Sequence, residues 1–468
     1  MTDAIPASTD PALLSASTLA QAIASKQLSP VDVVDELLAR IERLEPKLHA
    51  YVEVYGATAR LAAEAAHKAI RSGHAVGPLH GVPIALKDLI ELEGQITTGG
   101  SANWRQRRST VTATIARRMI AAGMIVLGKT HTVEFAYGGW GTNQHMGTPW
   151  NPWDMATART PGGSSSGSGV AVAAFMAPWA IGTDTGGSVR LPSSFCGLTG
   201  LKVTIGRIST HGILPLSQTL DTPGPMARSV EDTALLYNLL QGPDPLDPNT
   251  RGILHEDPMP TLKRGVRGLR LARMPAPERE GVAADMLEAY DRSVDVLARL
   301  GAEIVDVALP FRFADCLAVQ ALVQAEAYFN AGHLAEDPAT QLDEAVRRRL
   351  LGGAHVSAQD YLAARKELAD FKRQMYRALE GVDALLTPTT ETAALKLTEV
   401  DQDRLPSRFT RPANLLEMCA LALPNGATAA GLPLSLQIVC RGYEEATALR
   451  IGFAYQQATD WHLRAPAV

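Results

Sequence analysis

The sequence predicts an α/β protein in which one large β-sheet is covered by helices. Two observations carry this expectation. Short apolar runs of strand type recur from the first quarter of the chain to the last, and helical stretches alternate with them. No repeat, low-complexity tract or Pro/Ser-rich linker separates them, so one domain over residues 1–468 is expected. Within it we distinguish a helical N-terminal segment (about 10–75), a core (about 76–240) and a C-terminal portion (about 260–468) that completes the sheet.

The elements follow from local pattern. "SPVD" pairs Ser29 with Asp32 as a capping box around Pro30, and Val34, Leu37, Leu38 and Ile41 then recur at helical spacing. An Ala-rich helix is expected from about Ala57 to Arg71. "VPIALKDLI" is a short strand that delivers Lys87 and Asp88 at its end, and "AAGMIVLGKT" reads as a helix end, a buried strand and a turn. Ala177–Thr185 is a buried strand stopped by Gly186 and Gly187. "RGLRLARM", a helix over Val282–Leu300 carrying Leu287, Tyr290, Val294 and Leu297 on one face, and "AEIVDVALP" form a strand–helix–strand unit. Residues 315–379 read as helical and charged. "VDALLTPT" and "GLPLSLQIV" return to strand, and a helix from about Glu444 to Gln457 follows.

Bulk properties exclude several classes of function. With 46% hydrophobic and 20% charged residues the chain has ordinary globular usage, so extensive disorder is not expected. Lys plus Arg number 44 against 49 Asp plus Glu, a net charge of -5 with no clustered basic face, so no nucleic-acid partner is indicated. The four cysteines (Cys196, Cys316, Cys419, Cys440) are widely spaced and read as reduced core residues, with no metal site and no cofactor implied. "MTDAIPASTDPALLSAS" has no signal-peptide pattern, and the longest apolar run, Val170–Ile181, is too short to span a membrane. A cytoplasmic location is therefore expected.

Three glycine-rich stretches compete for chemical meaning. "GMIVLGKT" matches the phosphate-loop expression, but Met, Ile, Val and Leu stand where small flexible residues are needed, so a buried strand is expected instead. "RTPGGSSSGSGVAVAA" runs directly into a small-residue helix, which argues against a linker; its buried hydroxyls need partners, and a polar site supplies them. "GTDTGGSVRLPSSFCG" ends a strand with two glycines and Ser188. This is either a nucleophile beside converging backbone N–H groups or a Gly-rich turn with a capping Ser. A serine nucleophile needs a base. His131, His145 and His211 are available without a telling carboxylate partner, and Lys87 ends an apolar strand where burial could neutralise it.

Together these stretches resemble the amidase signature family over nearly the whole chain. The resemblance rests on "GPLHGVPIALKDLIELEGQITTGGS", "GKTHTVEFAYGGWGTN", "NPWD", "TPGGSSSGSGVAVAAFMAPWAIGTDTGGSVRLPSSFCGLTGLK" and "GLPLSLQIVCRGYEEATALRIGFAYQQAT" in that order. It implies an α/β fold with a single large mixed β-sheet sandwiched between helices, a catalytic core at 76–240 and a pocket covered from the C-terminal portion. Residue by residue, it implies Ser188 as acyl nucleophile, Ser164 as a bridging serine after a cis peptide, and Lys87 as base. It further implies oxyanion-hole N–H groups from Thr185, Gly186, Gly187 and Ser188, support from Ser165, Asp184 and Arg190, and Gly138 in the substrate cleft.

Three departures stand out: Ser166 in place of a Gly, Val203 in place of a Pro, and Glu417, Met418 and Cys419 where Gly-Leu-Pro is usual. The activity implied is hydrolysis of a small amide or urea-type substrate to a carboxylate plus ammonia or amine, without nucleic acid, membrane or cofactor. The alternative is the glutaminase component of a tRNA-dependent amidotransferase; "ILPLSQTLDTPGPMARSVEDTALL" reads closer to the hydrolase branch. A homodimer is compatible with the family. "AVRRRLLGG" (residues 345–353) reads either as a solvated helix face or as a source of an Arg for a carboxylated substrate.

Overall fold

Strands drawn from almost the full length of the chain hydrogen-bond into one mixed sheet in the computed structural model, which describes residues 10–317 and 319–468. The stretch 1–9, where no signal sequence is read, lies outside the described residues. In chain order the strands are β1 (Tyr51–Val54), β2 (Pro83–Lys87), β3 (Ile125–Thr130), β4 (Trp179–Asp184), β5 (Thr199–Lys202) and β6 (Thr222–Ala227). Then follow β7 (Arg270–Ala272), β8 (Glu303–Val305), β9 (Ala384–Pro388), β10 (Cys419–Ala427) and β11 (Pro433–Cys440). Their spatial order is β1-β3-β2-β4-β6-β5-β10-β11-β9-β7-β8.

Helices cover both faces. On β10, Leu421 and Leu423 press against Gly452 of the helix Glu445–Gln457, where an added Cβ would stand 2.4 Å from Leu421 Cδ2. The intervening Ala422 pairs with Gly200, which sits under Ser193 of the helix Arg190–Cys196 on the other side. Alternate residues of a strand point to opposite faces, so a helix lies on each. This explains why β10 is buried from Cys419 to Gly426 without a polar alternation. Of the residues that depart from Gly-Leu-Pro, Glu417 and Met418 lie just before β10 and Cys419 opens it, the longest strand of the sheet.

Other expectations shift in detail. β3 continues through Gly128, Lys129 and Thr130 instead of turning. Gly128 is required because β1 crosses it: an added Cβ would stand 2.2 Å from the Glu53 carbonyl oxygen. Lys129 is buried, 3.3 Å from Asp88 and 2.8 Å from Thr97 Oγ1, so this "GKT" is a sheet element. The capping box at Ser29 is one-sided, since Ser29 Oγ accepts from the Val31 N–H and meets His67 Nδ1 at 2.9 Å. The helix Ala284–Arg299 buries Met286, Tyr290, Ser293 and Leu297, leaving Leu287 and Val294 beside the stripe. All four cysteines are buried and free. Among the described residues no helix is long and apolar enough to cross a membrane.

Candidate active site

The site forms where β2 and β4 run parallel and end together. The register Leu86 to Ile181 places Lys87, the last residue of β2, beside the end of β4. Lys87 is fully buried; its Nζ lies 2.7 Å from Ser164 Oγ and 2.8 Å from Thr183 Oγ1. Burial pushes its ammonium down to about 7, against a partial opposing pull from Asp221 and Asp184. Near neutral pH this amine therefore carries a lone pair for much of the time.

The tract at 159–174 lies across the same strand ends. The Gly163–Ser164 peptide is cis, and the helix Ser166–Ala173 follows directly. Its hydroxyls find separate partners. Ser164 meets Lys87; Ser165 Oγ donates to the Thr183 carbonyl and accepts from the Thr183 N–H, both at 3.2 Å; Ser168 meets Thr130 Oγ1 and the Ile181 carbonyl. Ser166 Oγ is buried with no partner among the described residues, and nothing in the structure explains it.

Ser188 follows the glycine turn and lines a cleft of about 40 Å³ with Tyr137, Gly138, Gly139, Thr185, Gly186 and Arg411. A second chamber of about 190 Å³, lined by Thr183, Asp221 and Thr210, shares Ala136, Thr185 and Leu216 with it. The two are contiguous. Gly138 thus sits in the Ser188 cleft. Ser165 N–H donates to the Ser188 carbonyl at 3.2 Å, so the serine tract and the Ser188 turn share a direct backbone hydrogen bond. No hydrogen bond joins the hydroxyls of Ser164 and Ser188 in this state.

The turn is held by Asp184. Its carboxylate accepts from the N–H of Gly187 (2.7 Å) and Val189 (3.1 Å) and pairs with Arg190 through two hydrogen bonds. Burial alone would raise this carboxyl, but Arg190 and Asn414 outweigh it and bring it down to about 2. Here one expectation needs correction: the Gly187 N–H is directed at Asp184, so it belongs to the scaffold and not to an oxyanion hole. The N–H groups of Thr185, Gly186 and Ser188 have no acceptor among the described residues. Removing one partner of a fully buried ion pair strands the other, at roughly 3–5 kcal/mol. Asp184→Ala is therefore expected to lower the urea midpoint severely; a midpoint unchanged from the parent would refute this scaffold role.

The remaining candidates separate cleanly. None of His131, His145 and His211 lines either chamber, and burial pushes His131 down to about 4. Of the 345–353 arginines, Arg348 pairs with Asp403 at the surface, while Arg349 Nη1 donates to the Tyr137 carbonyl at 2.6 Å and so clamps the cleft wall from behind. Sequence reasoning missed Thr183, Asp221 and Arg411. Asp221 is half-buried, raised by desolvation to about 6, and accepts from Thr185 Oγ1 and from the N–H groups of Leu216 and Ser217. Among the described residues no group of three or more His, Cys, Asp or Glu is placed to hold a metal.

Comparison with known proteins agrees with this architecture. Residues 32–449 match the family model described as Amidase. The A subunit of the glutamyl-tRNA(Gln) amidotransferase of Geobacter metallireducens is 36% identical over 93% of this chain and 95% of its own length. That of Cupriavidus necator is 37% identical over 96% and 97%. Both of these relatives carry the name of the alternative component and not of the hydrolase branch expected from residues 213–236. Among solved structures, native peptide amidase from Stenotrophomonas maltophilia superposes with a TM-score of 0.85 at 29% identity, covering 97% of this chain and 98% of its own. The 6-aminohexanoate cyclic dimer hydrolase in complex with its substrate gives 0.88 at 26%, covering 97% and 99%. A family-model match over residues 32–449, with relatives 36–37% identical along nearly the full length, places the chain in the amidase signature family.

Proposed function

We propose that the chain hydrolyses a small-molecule amide to a carboxylate plus ammonia or an amine through an acyl-enzyme on Ser188. The observation that carries this reading is Lys87: a fully buried amine, lowered to about 7 and 2.7 Å from Ser164, beside a serine that opens onto a cleft. Neutral Lys87 takes the Ser164 proton, and Ser164 takes that of Ser188 as the substrate closes the gap between the two hydroxyls. Ser188 Oγ then attacks the amide carbon. The oxyanion rests on the free N–H groups of Thr185, Gly186 and Ser188. Collapse breaks the C–N bond, and the relay run backwards gives the proton to the departing nitrogen. Water, deprotonated by the same relay, cleaves the ester. Ser165, Asp184 and Arg190 position the two serine segments.

The nitrogen has two possible fates. The amidotransferase relatives, at 36–37% identity over nearly the whole chain, favour the reading in which glutamine is the amide and its ammonia passes to a partner protein. Hydrolases among the structural relatives favour release to solvent. Ammonia release by the purified chain from glutamine, aliphatic, aromatic, urea-type and carboxylated amides decides between them. Turnover of another amide well above glutamine is expected; preference for glutamine supports the glutaminase reading.

A further inference from the structure

Arg411 differs from the other buried or half-buried arginines. Arg190 makes five hydrogen bonds, to Asp184, Asn414, Gln437 and the Thr410 carbonyl. Arg40, Arg118, Arg207 and Arg349 are each engaged with carbonyls or carboxylates. The Arg411 guanidinium has neither a hydrogen bond nor an ion pair among the described residues. It is half-buried, lines the cleft with Ser188, and lies over the Ser188 turn: a Cβ added to Gly186 would stand 3.3 Å from its Nε. Its N–H donors are thus committed to no protein acceptor and stand at the cleft, where an anionic ligand can take them. Tyr137 lines the same cleft, and Arg411 is its leading cationic neighbour. Because Arg349 clamps the Tyr137 carbonyl, that wall is fixed.

We infer that Arg411, with Tyr137, forms a carboxylate-binding subsite, so that the preferred substrate is a short amide bearing a carboxylate and no adjacent ammonium. This rests on the amidase reading above. The planar fork of an arginine matches a carboxylate through two parallel hydrogen bonds. Gly186 and Ser188 are two residues apart, at most about 7 Å between their Cα atoms. The carboxylate and the scissile carbonyl are thus separated by only a few bonds, as in the monoamide of a short dicarboxylic acid. The absence of an ammonium follows from the lining. The Ser188 cleft contains no Asp or Glu, and both oxygens of Asp221 in the adjoining chamber are already hydrogen-bonded. An α-amino acid would bring a cation to a wall with no counter-charge and one cation already present.

The test compares kcat/KM for succinamate, its uncharged analogue butyramide, and glutamine, in the parent and in Arg411→Gln and Arg411→Lys. The expected result is preference for succinamate over both others. In Arg411→Gln the succinamate-to-butyramide ratio should fall about 100-fold, the scale of a lost charge-assisted pair, with partial recovery in Arg411→Lys. A ratio unmoved by the substitution, or glutamine preferred over succinamate, would overturn the inference. Thermal stabilisation by succinate is the second measurement, independent of turnover. A rise in Tm with succinate that is lost in Arg411→Gln supports the subsite even if no amide is cleaved, in which case the amidase reading alone fails. No rise with succinate, or a rise with inorganic phosphate only, overturns the subsite.

Discussion

Replacing Ser188 by Ala is expected to abolish amide turnover, lowering kcat by roughly 10⁴-fold or more, because the nucleophile of a relay has no substitute. The change removes one hydroxyl whose Oγ donates to no described residue, so stability should move by about 1 kcal/mol or less. Ammonia release measured alongside the denaturation midpoint separates chemistry from folding. A variant that keeps a tenth of the parent rate would place the nucleophile elsewhere.

The second large effect belongs to Lys87, through rate and stability together. Because its ammonium is brought down to about 7, kcat/KM should climb about tenfold per pH unit below that value and level off above it. Lys87→Met should remove the activity and with it this pH dependence. The stability effect has the opposite sense to that of a usual salt bridge. Below pH 7 both native and unfolded chains hold the Lys87 proton, and its burial penalty is fully present. Between about 7 and the ordinary 10.5 only the unfolded chain holds it, so the penalty fades as pH rises and is gone above that window. Lys87→Met should therefore raise Tm most at pH 6 and least above pH 10, a differential on the order of 4 kcal/mol. A rate that peaks at acid pH, or a stability gain independent of pH, would contradict a neutral buried Lys87.

Much of this site is visible in the sequence because chain geometry concentrates it. Lys87 and the Gly186–Ser188 turn both terminate apolar strands, and a run of apolar residues cut by a charge or by two glycines is a local signal. The serine tract is legible for a related reason, since four hydroxyls entering a small-residue helix demand partners. What escaped is what only the fold brings near. Arg411 lies more than two hundred residues from Ser188 in "RFTRPAN", a polar stretch indistinguishable by letters from a surface loop. Thr183 is selected by strand register, and β10 hid because burial on both faces erases alternation while Pro424 reads as a break. The arginines of residues 345–353 illustrate the converse. A charge run drew attention, yet its Arg349 holds a carbonyl from behind the cleft and leaves the cleft-facing charge to Arg411.

The most direct test of a Ser188 acyl-enzyme is to quench the protein in acid during turnover of a cleavable amide and map covalent adducts by peptide mass spectrometry. An acyl group is expected on the peptide that contains Ser188, present in the parent and absent in Ser188→Ala. An acyl group on any other residue, or turnover in which no covalent intermediate forms, would contradict this mechanism.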